Sequence, residues 1–169
     1  MDRTGYQQRI LPLKNKLFRF AKSFLKSEAE AEDAVQEVLI KLWDQRESLD
    51  RVNHLEAWCM RVMRNWCLDR LKSKKHRVIE LQEAVPMSHP GADPGRQAEW
   101  KDAYESVKAI MRRLPEGQRT VLQLREVEQL SYKEIVEATG MSMGSVKVNL
   151  FRARKTVRAR YTNLAAYGS

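Results

Sequence analysis

Apolar side chains return every three or four residues from Ile10 onward, at Leu13, Leu17, Phe20, Ala21, Phe24 and Leu25. That is the period of a helix with one buried face. Ser27 suits the N-cap of a second helix, with Glu28, Glu30, Glu32 and Asp33 in its first turns, where the helix dipole favours negative charge. The apolar stripe of this helix is Val35, Val38, Leu39, Leu42 and Trp43. A third helix is predicted over residues 55–72, with Leu55, Cys59, Val62 and Trp66 on one face and Arg61, Arg64, Arg70 and Lys72 elsewhere. Lys74, Lys75 and Arg77 extend its basic tract. Three such helices, with Trp43, Trp58 and Trp66 among them, make a compact bundle. The tryptophans have two readings, core packing or a platform on which an exposed base stacks beside the basic tract.

The second half repeats the helical pattern. Tyr104, Val107, Ile110, Met111 and Leu114 form a stripe that Pro115 ends, and residues 116–126 carry Val121, Leu122 and Leu124 on another. Ser131 followed by Glu134 is a capping box and predicts a helix start. Gly140 stands where a left-handed residue ends that helix, and Ser142 can cap the next. Helix, glycine turn, helix is the helix-turn-helix arrangement.

On the second helix of that pair, Val146, Leu150, Ala153 and Val157 share one side of the wheel. Opposite them lie Val148, Phe151, Arg152 and Lys155, with Lys147 and Arg158 at the edge and Asn149 on the far flank. This outward face joins basic residues to two apolar side chains that the core does not use. Arginine and lysine read guanine edges, asparagine pairs with adenine, and valine or phenylalanine touches a thymine methyl. Lys155 and Arg158 suit phosphate contact. A solvated basic face is the plainer alternative; the capped turn and the outward Phe151 favour DNA recognition.

Between the two halves, residues 85–95 hold three of the five prolines and read as a linker. The predicted class is therefore all-α, two small helical domains at 1–80 and 100–169, joined by a flexible linker at 81–99. Charge follows the same division. Residues 1–80 carry 17 basic and 12 acidic side chains, residues 81–99 one and three, and residues 100–169 thirteen and seven, within a net charge of +9. Basic clusters in both domains point to a polyanion. Several classes drop out. No uncharged run reaches the roughly 18 apolar residues of a membrane span, and the start has no secretory pattern, so a cytoplasmic location is expected. Cys59 and Cys67 would lie about 12 Å apart on one helix, beyond the roughly 7 Å a disulfide allows. His54, His76 and His89 show no ligand spacing, so neither metal nor cofactor is expected.

Three stretches together resemble the sigma-70 family of bacterial transcription initiation factors, and within it the short extracytoplasmic-function (ECF) group. Residues 31–43, Ala-Glu-Asp-Ala-Val-Gln-Glu-Val-Leu-Ile-Lys-Leu-Trp, resemble the polymerase-binding helix of region two. Ala57-Trp58 through Asn65, Asp69 and Arg77 resembles the segment that engages the melted promoter element. Leu114-Pro115-Glu116 through Arg152-Ala153-Arg154 resembles region four, which binds the element farther upstream. The likeness runs through nearly the whole chain in family order. Single motifs of this kind are common; three in order are specific.

The resemblance implies a sigma factor that binds core RNA polymerase, directs it to promoters and helps open the DNA, with no catalysis of its own. Asp33, Gln36, Glu37, Leu39 and Trp43 would bind the polymerase, its carboxylates meeting an arginine-rich partner. Arg61, Asn65, Asp69, Arg70, Lys72, Lys74, Lys75 and Arg77 would hold the minus-ten element. Ser145, Lys147, Val148, Asn149, Phe151, Arg152 and Lys155 would read the minus-thirty-five element. Val148 and Asn149 stand where many family members have serine and arginine, so the promoter sequence does not transfer. An anti-sigma factor is a further implied partner. Two other classes compete with this reading. A helix-turn-helix regulator explains residues 114–158 but leaves the helix from Asp33 to Trp43 and the first basic tract without a job. A nuclease needs a carboxylate or histidine cluster, and the dense acids from Glu28 to Glu37 are better explained by helix capping and partner binding.

Overall fold

Caps and breakers in the sequence set most of the helix boundaries. The computed structural model describes the backbone of residues 1–80 and 96–167, and the side chains of 1–75 and 101–166. The proline-rich residues 85–95 lie outside the described residues, as do the side chains of His76, Arg77 and His89. Helix α1 spans Arg3–Arg9 and is capped by Asp2, whose Oδ1 accepts from the Gly5 amide at 2.8 Å. A 3-10 turn over Leu11–Leu13 follows, and then α2, Lys14–Phe24. The single helix expected from Ile10 onward is thus interrupted, because Pro12 offers no backbone N–H to continue α1. Helix α3, Glu28–Asp44, begins where Ser27 Oγ accepts from the Glu30 amide at 3.1 Å. Helix α4 runs Leu55–Glu80 and takes in the whole basic tract.

Helix α5, Arg96–Arg112, starts inside the stretch assigned to the linker. Helix α6 is Glu116–Leu122, and a π-turn over Gln123–Val127 replaces the last turn of the α-helix expected to residue 126. Helix α7, Tyr132–Thr139, has the full capping box between Ser131 and Glu134, and ends at Gly140 with φ 73°. That left-handed conformation is open to glycine at little cost. Helix α8, Met143–Tyr167, is capped by Ser142, whose Oγ accepts from the Ser145 amide at 3.1 Å. No strand occurs among the described residues.

In the first domain, Ile10, Leu17, Phe20, Leu42, Leu49, Met60 and Met63 are fully buried where α1 to α4 meet; Leu124, Leu130, Ile135 and Leu150 form the core of the second. Tyr104 departs from its expected place on the stripe of α5. It is 60% exposed, and its ring carries the Lys108 ammonium 4.2 Å from its centre. Helix α4 packs along α7, and α2 touches α5 and the π-turn, so the two domains share one continuous apolar core.

Candidate nucleic-acid interface

Three surfaces gather the side chains singled out in the sequence. On α3, periodicity turns Asp33, Gln36 and Glu37 outward, since Ala34, Val35 and Val38 occupy the buried side. They line a cavity of about 480 Å³ with Ile40 of α3 and Trp66 and Arg70 of α4. Leu39 and Trp43 face elsewhere and are half-buried. The Leu39 carbonyl accepts from the Tyr6 hydroxyl at 2.6 Å, and the Trp43 ring meets Tyr6 edge-on at 5.1 Å, with the Arg46 guanidinium 4.4 Å from its centre. Burial pushes the Tyr6 hydroxyl up to about 12, so it stays a donor. Ile40 is 60% exposed amid the acids. Sequence reasoning passed over it; the signal was an isoleucine off the buried stripe, two residues before Leu42.

The basic tract of α4 forms the second surface. Asn65, Asp69, Lys72, Lys74 and Lys75 line a cleft of about 1,210 Å³, together with Lys26, Glu30, Arg64 and an apolar floor that includes Phe24 and Leu68. Lys74 is ion-paired to Glu30. Glu116 and Arg119 of the second domain wall the other side. Arg64 donates to Glu116 at 2.7 Å, and the Arg119 guanidinium lies 4.5 Å from the Phe24 ring centre, where burial lowers its affinity for a proton. Arg61 Nη1 donates to the Glu137 carbonyl at 3.3 Å, away from the cleft. Arg70 is exposed on the α3 side and lines the first surface, not the cleft. Trp58 and Trp66 are half-buried, intermediate between the two roles considered for them.

The third surface is α8. Val146, Leu150 and Ala153 are buried, which turns Gly144, Lys147, Val148, Phe151, Arg152 and Lys155 to solvent along one face. Phe151 is 68% and Val148 47% exposed. Two apolar side chains left in water beside three cationic groups suit contact with base edges in a major groove. Ser145 and Asn149 sit at the flank. The Asn149 amide donates to the Ser145 carbonyl at 2.9 Å and to its hydroxyl at 3.2 Å. Beneath this helix, the Ser131 amide donates to Glu134 at 2.7 Å and holds its carboxyl below the usual range, which fixes the start of α7. Glu126 of the π-turn pairs with Arg154 of α8. Among the described residues, no three His, Cys, Asp or Glu side chains converge to hold a metal ion.

Comparison with known proteins meets this geometry domain by domain. Residues 10–77 match the family Sigma-70 region 2, and residues 104–157 match Sigma-70, region 4. The chain is 30% identical over 149 residues to the ECF RNA polymerase sigma factor SigM of Bacillus subtilis, covering 87% of this chain and 89% of that one. It is 29% identical over 150 residues to the RNA polymerase sigma factor SigV of the same organism, covering 88% and 86%. Among solved structures, the sigma factor RpoE in complex with the anti-sigma factor NepR from Bartonella quintana shares the fold. Its TM-score is 0.77 at 24% identity, over 93% of this chain and 96% of that one. CnrH in complex with the cytosolic domain of CnrY follows at a TM-score of 0.68 and 22% identity, over 99% and 92%.

Proposed function

The chain belongs to the sigma-70 family, and from that premise we propose how its surfaces divide the work of an ECF-type RNA polymerase sigma factor. It binds core RNA polymerase and directs transcription initiation at promoters. The observation that carries the reading is the joint presence of both sigma-70 regions, in order, each with its own exposed face. A free-standing helix-turn-helix regulator leaves the α3 face and the α4 cleft without a role.

In this division, Asp33, Gln36, Glu37 and Ile40 form the polymerase-binding face, an apolar contact ringed by carboxylates that suit an arginine-rich partner. Leu39 and Trp43 support it from behind through Tyr6. The α4 cleft takes the minus-ten element: Asn65 and Asp69 offer hydrogen bonds to a base, and Arg70, Lys72, Lys74 and Lys75 meet backbone phosphates. Arg61, which lies outside the cleft, and Arg77 extend this contact along α4. On α8, Val148, Phe151, Arg152 and Lys147 read the minus-thirty-five element, Lys155 grips phosphate, and Ser145 and Asn149 set the pitch of the helix.

The reading assigns no bond-making chemistry to this chain: the polymerase supplies it, and the sigma factor supplies binding energy and register. Tethering two DNA-binding domains raises the effective concentration of the second once the first is bound. Among the described residues no helix is long and apolar enough to cross a membrane, and we place the protein in the cytoplasm with its polymerase. An anti-sigma factor is the natural regulatory partner, since both solved neighbours are complexes, one of them with a named anti-sigma factor. The test is reconstituted transcription: core enzyme plus this chain on a library of genomic promoter fragments. Transcripts that start at discrete sites only when the chain is added support the reading; identical transcripts with and without it contradict it.

A further inference from the structure

Glu30 stands on the ridge between the first two surfaces. It lines the acidic cavity with Asp33, Glu37 and Arg70, and it also lines the basic cleft with Lys72 and Lys75. Its carboxylate is ion-paired with the ammonium of Lys74 on α4, 44 residues later in the chain. The Glu30 side chain is 22% exposed and that of Lys74 43%. Among the described residues, Asp33 and Glu37 make no ion pair, so Glu30 is the carboxylate of this face whose charge is already engaged inside the chain.

A nearer partner for Glu30 exists in the sequence. Ser27 and Glu30 have the spacing of a capping box, as Ser131 and Glu134 do. At α7 that box closes in both directions. At α3 only half of it forms: Ser27 Oγ accepts from the Glu30 amide at 3.1 Å, while the Glu30 carboxylate turns to Lys74 instead of to the Ser27 amide. Neither position holds the carboxylate strongly. One offers a lysine that water still reaches, a pairing that stabilises little; the other offers a backbone N–H and the positive end of the helix dipole. A side chain so placed moves when a third group tips the balance. Each surface invites such a group. A phosphate in the cleft competes for Lys74, and a guanidinium on the α3 face competes for Glu30.

We propose that Glu30 and Lys74 form an exchange pair that couples the two surfaces: polymerase bound at α3 draws Glu30 away, and the released Lys74 takes a backbone phosphate in the minus-ten cleft. The coupling is reciprocal, as any linkage between two binding sites is. It rests on the sigma-factor reading above, with polymerase at α3 and DNA in the cleft.

The test is a pair of titrations on the full chain at physiological salt. One uses bacterial core RNA polymerase and the other a labelled random-sequence single-stranded oligonucleotide, each carried through Glu30→Gln, Lys74→Met and the double variant. Glu30→Gln should raise affinity for the oligonucleotide about threefold, the scale of an exposed ion pair. It should also steepen the slope of log K against log salt by about 0.7, one more phosphate contact on a single strand. Lys74→Met should raise affinity for core enzyme by a similar factor. The first gain should vanish in the Lys74→Met background and the second in the Glu30→Gln background. Gains that persist there come from net charge alone and overturn the exchange. Losses in place of both gains mean that the pair only clasps α3 to α4, and overturn it equally. Failure of the parent chain and every variant to bind core enzyme, or to bind the oligonucleotide, counts against the assignment of that surface, and the proposal falls with it.

Discussion

The side-chain amide of Asn149 is held by Ser145, one turn earlier on α8, through its carbonyl at 2.9 Å and its hydroxyl at 3.2 Å. An amide so engaged has its donors committed to the protein. Gly117 of α6 lies against the other end of that side chain, so close that a methyl group there would stand 3.3 Å from Asn149 Oδ1. Asn149→Ala is therefore expected to lower stability by about 1 kcal/mol, the net worth of a hydrogen bond, and to leave base preference unchanged. Thermal unfolding and a promoter-variant binding series check the two halves; a preference altered at one base pair would put Asn149 among the readers.

Arg152 and Lys155 should separate in the opposite way. Arg152→Ala is expected to lose about 1–3 kcal/mol of discrimination at one base pair of the upstream element, as loss of a base-edge contact does. Lys155→Ala should weaken every sequence alike and flatten the slope of log K against log salt by about 0.9, one phosphate contact. Equal losses for both variants across a promoter series would refute this division.

The cap of α7 is a stability device. Ser131→Ala removes the acceptor of the Glu134 amide and is expected to cost about 1 kcal/mol. For a chain of this size that lowers Tm by roughly 2–4 °C. The readout is a thermal scan, with far-UV circular dichroism to confirm that the fold is retained. An unchanged Tm contradicts the role assigned to the cap.

Cys59 and Cys67 are buried on α4, and burial pushes both thiols from 9.0 up to about 12. A thiol that ionises at 9.0 when unfolded and near 12 when folded contributes stability that is complete below pH 9 and lost as pH rises toward 12. The folded protein should thus resist alkylation at pH 8, and its thiols should react only as fast as the chain unfolds. Rapid labelling without loss of helix signal would contradict their burial.

Much of this was legible in the sequence. The caps at Ser27, Ser131 and Ser142, the left-handed Gly140 and the buried side of α8 all follow from local rules, because a cap or an amphipathic stripe involves residues a few positions apart. What stayed hidden depends on contacts between distant residues. The π-turn at Gln123–Val127 has no signature in its own residues; it accompanies a carboxylate directed at Arg19, more than a hundred residues earlier. Pro12 marked a break that the stripe from Ile10 to Leu25 overrode. The Trp43 ring packs edge-on against Tyr6, in a helix that apolar periodicity did not reveal, and the same tyrosine hydroxyl donates to the Leu39 carbonyl. Ile40 was visible but unweighted, since an isolated exposed apolar residue gains meaning only from the acidic face around it.

The most direct test of the central claim is an equilibrium titration of the dye-labelled full chain with bacterial core RNA polymerase at physiological salt, run beside Glu37→Lys. The account predicts tight, saturable binding that the charge reversal on the α3 face weakens severely, while the variant keeps its fold and its binding to duplex DNA. A well-folded chain that fails to bind core enzyme would contradict it, and equal binding by Glu37→Lys would remove that face from the interface.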